Sequence, residues 1–151
     1  MTRRPCLWLL LACPLMALAA PQPVDDNGTR VVSAERQMHW RSPLPGAGED
    51  HQVLMNLVVD VRLHTAAWAG RAVRIHMLLD ADGGPEMEAQ WSAQQGRLLD
   101  GRVVSGGRAL IFSGTLSQAV LQDRLSIQLR TDGRWMTPQR RLNFSYELDP
   151  L

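Results

Sequence analysis

From His51 to the end of the chain, apolar and polar residues alternate with a period of two. Between Val53 and Leu63 the odd positions are Val53, Met55, Leu57, Val59, Val61 and Leu63, while the even positions include Asn56, Asp60 and Arg62. Val73, Ile75, Met77 and Leu79 repeat the pattern around Arg74 and His76, and Met87, Ala89 and Trp91 alternate with Glu88, Gln90 and Ser92. Leu125, Ile127 and Leu129 follow, and then Leu142, Phe144, Tyr146 and Leu148. Successive side chains of a strand point to opposite faces, so each run predicts a strand with one wet and one dry face. No window of ten or more residues after the leader carries a clean helical stripe.

Turn chemistry separates these runs. Ser105-Gly106-Gly107 lies between Leu98–Val104 and Arg108–Ser113, and adjacent glycines supply the positive φ of a tight hairpin turn. Folding Val53–Leu79 about Ala67 predicts a hairpin that pairs Val61 with Val73, Val59 with Ile75 and Leu57 with Met77, with Asp60 opposite Arg74. For the last two runs, a tight turn at Asp132-Gly133 pairs Leu129 with Met136, whereas a wide loop pairs Leu129 with Leu142; Pro138 interrupts the ladder and favours the wide loop. Ala20–Gly28 and Pro43–Asp50 read as polar loops, and Val31-Val32 and Gln37–Arg41 as one or two short strands between them. The expected architecture is all-β: a single antiparallel, immunoglobulin-like sandwich of about seven to nine strands over residues 51–151, preceded by an extension at 20–50. An open barrel is the alternative.

The first nineteen residues read as a signal peptide. Arg3 and Arg4 precede an apolar stretch, and Ala17-Leu18-Ala19 is a small-x-small cleavage site, with the cut after Ala19. That stretch is about 14 residues, against the roughly 20 needed to span a bilayer, so no transmembrane anchor is expected after cleavage. The product is expected to be periplasmic or secreted. Leu10-Leu11-Ala12-Cys13 loosely resembles a lipoprotein box, and a lipoprotein anchored through Cys13 is the alternative.

Composition changes the picture in three places. The whole chain has 151 residues and a formal charge of +1, but Arg3, Arg4, Cys6 and Cys13 all lie in the leader, so residues 20–151 are slightly acidic and free of cysteine. A charge near zero argues against a nucleic-acid partner, and the oxidising compartment is reached without a disulfide. All basic residues are arginine, a hint of a high-GC bacterial genome.

Few constellations carry chemistry. His39, His51, His64 and His76 stand beside seven methionines, but His64 and His76 fall roughly 20 Å apart on the expected hairpin and cannot share one ion. Asp80-Ala81-Asp82-Gly83-Gly84-Pro85-Glu86 suggests a calcium loop, yet its glycine and glutamate miss the EF-hand positions. After the leader no cysteine nucleophile or G-x-S-x-G elbow is present, and the acids Glu86, Glu88, Asp100 and Asp123 show no pairing. Neither a cofactor nor a metal is expected, and the chain is read as a non-enzyme.

Tryptophans in loops are more informative. Trp68 and Trp135 fall in connections, and Trp135 is flanked by Arg134, Arg140 and Arg141, a set suited to an acidic partner or, through ring stacking, a sugar. Trp40 and Trp91 lie in alternating segments and are expected in the core. The strand of Leu142, Phe144, Tyr146 and Leu148 alternates strongly near a terminus, as a segment for strand pairing with another chain would. These features point to an exported bacterial binding or assembly protein, an accessory or structural subunit of an envelope or surface-appendage system. Its partner would be another envelope or surface protein. The alternatives are a carbohydrate- or ligand-binding module using the loop tryptophans, and a hydrolase with an unrecognised site.

Overall fold

The structure is a computed structural model that describes residues 20–35, 37–42, 50–81, 83–135 and 142–151, with Trp135 described in its backbone only. The signal-peptide and Cys13 readings, Asp82, Met136 and the pair Arg140 and Arg141 lie outside the described residues.

The fold is all-β. In chain order the strands are β1 (Gln22–Pro23), β2 (Arg30–Ala34), β3 (His39–Trp40), β4 (Gln52–His64), β5 (Ala72–Leu79), β6 (Met87–Ala93), β7 (Gly101–Val104), β8 (Arg108–Thr115), β9 (Val120–Asp132) and β10 (Phe144–Pro150). They form two antiparallel sheets: a four-stranded one ordered β1-β10-β5-β8, and a six-stranded one ordered β2-β4-β9-β6-β7 in which β3 also pairs with β4. Among the described residues, no helix is long and apolar enough to cross a membrane.

Alternation decides which face each residue takes. Leu57, Val59, Val61, Leu63, Leu125, Ile127 and Leu129 of the six-stranded sheet face Val73, Ile75, Met77, Leu79, Tyr146 and Leu148 of the other, and together they make one buried cluster. Each fully buried Leu or Ile contributes about 1.5–3 kcal/mol relative to exposure, and this layer holds the two sheets together in a sandwich-like arrangement. On β8 an extra residue sits opposite Ile75–His76, and this bulge turns Ile111 fully into the core.

The pairing differs from the expected hairpins. β4 pairs with β9 along its whole length, so Val61 lies opposite Asp123 and Asp60 opposite Arg124, while Val73 and Ile75 pair with β10 and β8 in the other sheet. The connection between β4 and β5 is an arch from one sheet to the other. It is fixed by Thr65, which is fully buried: its N–H donates to Ala119 O at 2.8 Å and its Oγ1 to Gln118 O at 3.0 Å.

Ser105-Gly106-Gly107 does make a tight turn, with Gly106 at φ 79° and Gly107 N donating to Val104 O at 2.8 Å. It too joins different sheets, since β7 pairs with β6 and β8 with β5. Leu129 pairs with Met55 and Ala89, so neither expected register of the last hairpin is formed. Among the described residues from β4 onward, β6–β7 is the one sequential pair of strands that are neighbours in a sheet. The segment read as an extension is woven into both sheets, β1 against β10 and β2 and β3 against β4.

Candidate functional site

The loop tryptophans sit at opposite ends of the sandwich. Trp68 closes a 3₁₀ turn, Ala66–Trp68, just after the end of β4, and is half-buried against the core. Trp135 follows the other end of β9, where Gly133 N donates to His51 O just before β4 begins. The twelve residue steps of β4 between these ends span roughly 40 Å at strand rise, too far for one small ligand to touch both rings. Trp91 is buried as expected, its Nε1 donating to Leu99 O at 2.9 Å. Trp40 is not in the core: on the two-residue edge strand β3 it is 42% exposed, its ring lying over Gly133.

The arginine set around Trp135 is represented by Arg134. Its guanidinium binds its neighbour Asp132, with Nη2 2.6 Å from Oδ2, and holds that carboxyl down to about 2. The cleft it lines, about 740 Å³, also carries Asp50, Glu86 and Glu88. Among the described residues this end is therefore rich in carboxylates and already paired.

The terminal strand has a seat in its own fold. β10 pairs with β5 from Phe144 to Pro150, and Tyr146 and Leu148 are buried while Phe144 and Leu142 are half-buried against the same core. On its other side β1 covers only Glu147 and Leu148, and Val24 N donates to Tyr146 O at 2.9 Å. Beyond that point no strand flanks β10 on this side among the described residues.

This half-covered stretch faces β2, and between them the sandwich is open. A groove of about 310 Å³ runs between the sheets there, its floor made by Met55, Leu57, Val59, Ile127, Phe144 and Tyr146. Val31 and Ala34 of β2 pair with Val59 and Leu57, which places them on the inward side of the sheet, yet Val31 is 60% exposed. An inward valine is bare because the four-stranded sheet does not reach over it. The Tyr146 phenol lines this groove. Burial, with the negative charge of Asp26 added, raises its pKa well above the ordinary tyrosine range, so it stays a hydrogen-bond donor.

The outer face of the six-stranded sheet forms a second, larger cleft of about 800 Å³. Cross-strand register puts Asn56, Gln128, Gln90 and Arg102 in one row across β4, β9, β6 and β7. The next row holds Val58, Ser126 and Ser92. Towards the two ends lie the ion pairs Arg130–Glu88 at 2.7 Å and Arg124–Asp60 at 2.6 Å. None of the row was singled out as a site in the sequence; its only signal there is Gln90 and Ser92 at outward positions of β6 and Ser126 and Gln128 at outward positions of β9.

The histidines do not converge. His39 approaches Glu35, His64 Nε2 meets Asn27 O at 3.0 Å, His51 lines the Arg134 cleft, and His76 contacts Arg108 and Asp149. Among the described residues no three His, Cys, Asp or Glu side chains are grouped to hold a metal ion. No model of a known family and no curated protein matches the chain.

Proposed function

We propose that the chain, read as an exported immunoglobulin-like sandwich, is a non-enzymatic assembly protein that takes an extended strand of another protein into the seam between β2 and β10. The observation that carries this reading is Val31: an inward-facing valine, exposed on an edge strand, above an apolar groove that opens into the core. An edge strand presents a free row of backbone N–H and C=O groups, and the groove floor presents apolar side chains. A β-strand with apolar residues at alternate positions satisfies both at once, its main chain giving affinity and its side chains register. Full burial of each valine-sized side chain contributes about 1.5–3 kcal/mol. The terminal strand that the sequence offered as a donor is thereby recast as one wall of the acceptor.

The test is site-specific photo-crosslinking in the native host, with the reactive residue at position 31 or, for comparison, at position 110 on the far edge strand β8. Position 31 is expected to capture an extended segment of a second protein with alternating apolar residues. Labelling at position 31 no stronger than at 110, or capture of a helical or uniformly polar segment, removes the reading.

A further inference from the structure

We propose that the strand taken up at the seam carries a threonine or serine among its inward side chains, and that this hydroxyl is held between Tyr146 and Asp26 in the groove. This rests on the strand uptake proposed above and specifies the chemistry of one position on the partner.

The polar side chains that line this otherwise apolar groove are Asp26, Thr29, Arg30, Asn143 and Tyr146. Three of them are engaged elsewhere. Thr29 Oγ1 donates to Arg62 O at 3.3 Å and accepts the Arg62 N–H at 2.9 Å. Arg30 Nη2 lies 3.6 Å from Asp60 Oδ2, and Asn143 Nδ2 donates to Asp80 Oδ2 at 2.6 Å. The Tyr146 hydroxyl and the Asp26 carboxylate have no hydrogen-bond partner among the described residues, although Tyr146 is only 4% exposed. Buried phenols normally find a partner, and an orphaned one facing a groove points to a group that arrives from outside.

The two orphans specify that group. A protonated phenol donates and a carboxylate only accepts, so the arriving group must accept from Tyr146 and donate to Asp26. A hydroxyl does both from a single atom. Threonine supplies one with the least disturbance, because it is β-branched like the valine it replaces, favours the extended backbone and fills nearly the same space; serine supplies the same hydroxyl on a smaller side chain. A wholly apolar strand would seal both groups from water with their bonds unmade. A lysine would answer the carboxylate, but it would bring a full charge onto an apolar floor beside Arg30 on the same wall.

The experiment selects a displayed library of extended segments on the chain, each with valine at every second position except one, which is randomised, and checks their seat by cross-linking from position 31. Threonine or serine is expected to dominate the randomised position. The selected threonine segment is expected to bind about fivefold more tightly than its valine counterpart, the size of one net hydrogen bond. Tyr146→Phe is expected to abolish that preference while holding the valine segment as well as the parent does, and Asp26→Ala to reduce it. Tyr146→Phe removes one oxygen that no described residue bonds, so the variant is expected to melt with the parent. Segments that seat at position 31 with any other residue at the randomised position, lysine included, or a threonine preference that survives Tyr146→Phe, overturn the proposal and leave strand uptake standing. If no segment binds, or position 31 labels no more strongly than position 110, strand uptake itself fails and the hydroxyl site falls with it.

Discussion

The carboxylate of Asp123 receives the backbone N–H of Leu98 at 2.9 Å across 25 residues of sequence. The same carboxylate accepts the N–H groups of Gln95 at 2.8 Å, Arg97 at 2.7 Å and Arg124 at 2.7 Å, and Asp123 is only 3% exposed. It therefore pins the connection between β6 and β7 against β9, doing for four amides what a strand would do. A buried donor left unsatisfied costs about 1–3 kcal/mol. Asp123→Asn keeps the shape but turns an NH₂ towards some of those donors, and we expect it to lower stability by about 3 kcal/mol, read as a fall in the urea midpoint at unchanged m-value. A variant within about 0.5 kcal/mol of the parent would show that water replaces the carboxylate.

Gly101 and Trp91 are opposed across β7 and β6, and the indole fills the space a side chain at 101 would need. A Cβ built on Gly101 meets Trp91 Cζ2 at 2.7 Å, closer than real contacts allow. Gly101→Ala is expected to push the buried indole off its hydrogen bond to Leu99 O and to destabilise the fold by about 1–3 kcal/mol, the usual cost of overpacking. Tryptophan fluorescence, with its emission shifted to the red in the folded variant, would report the displacement. Unchanged emission and midpoint would place the strain elsewhere.

These two residues also show how far the sequence was legible. Alternation located the dry face of each long strand, and the core follows it residue by residue from Val59 to Leu148. It did not identify partners, because any two alternating strands satisfy the same pattern; the pairing of Val61 with Val73 was as good on paper as that with Asp123. What sends β4 and β5 to different sheets is a buried threonine, Thr65, whose bonds to Gln118 and Ala119 no local pattern announces. Asp123 did leave a trace, a charged residue in the apolar phase between Leu121 and Leu125. The seam at Val31 left none, and the row of Asn56, Gln128 and Gln90 left only a few outward polar residues, since each exists only once strands distant in sequence are placed side by side. Trp40 was misread because its strand is two residues long and lies at an edge, where alternation no longer means burial.

His76 ties stability to pH near neutrality. Arg108 Nη2 lies 2.8 Å from its Nδ1, so a fixed positive charge sits directly against the ring. Burial, then the charge of Arg108, lowers its pKa below the usual value; Asp149, 3.3 Å away, and Glu147 oppose this, and Arg74 adds to it. The unfolded chain thus takes up the proton more readily than the folded one, and stability is full above pH 6.5 and declines as pH falls below it. We expect the melting temperature to drop between pH 7 and pH 5 and His76→Gln to flatten that decline. An equal decline in the variant would assign it to another group.

A second, more acidic dependence follows from Asp60. Arg124 holds it with two bonds, Nε to Oδ1 at 2.6 Å and Nη2 to Oδ2 at 3.0 Å, and Arg30 adds a third contact at 3.6 Å. The hydrogen bond from Arg124 is the main reason its carboxyl titrates below the ordinary 3.8, and Asp132 and Glu35 are depressed as well. A carboxyl lowered in the folded state stabilises above its unfolded pKa and loses that contribution as pH falls through the folded one. In a His76→Gln background, where the neutral-range decline is removed, stability is expected to hold from pH 7 to about pH 5 and fall below about pH 4, where unfolded carboxylates begin to protonate. Asp60→Asn in that background is expected to be less stable than its parent at pH 7, with the gap closing as pH approaches 2.5. Because these side chains are solvent-accessible, the gap at pH 7 should also shrink in high salt. A gap constant from pH 7 to 2.5 would mean that the Asp60–Arg124 pair acts through packing and not through charge.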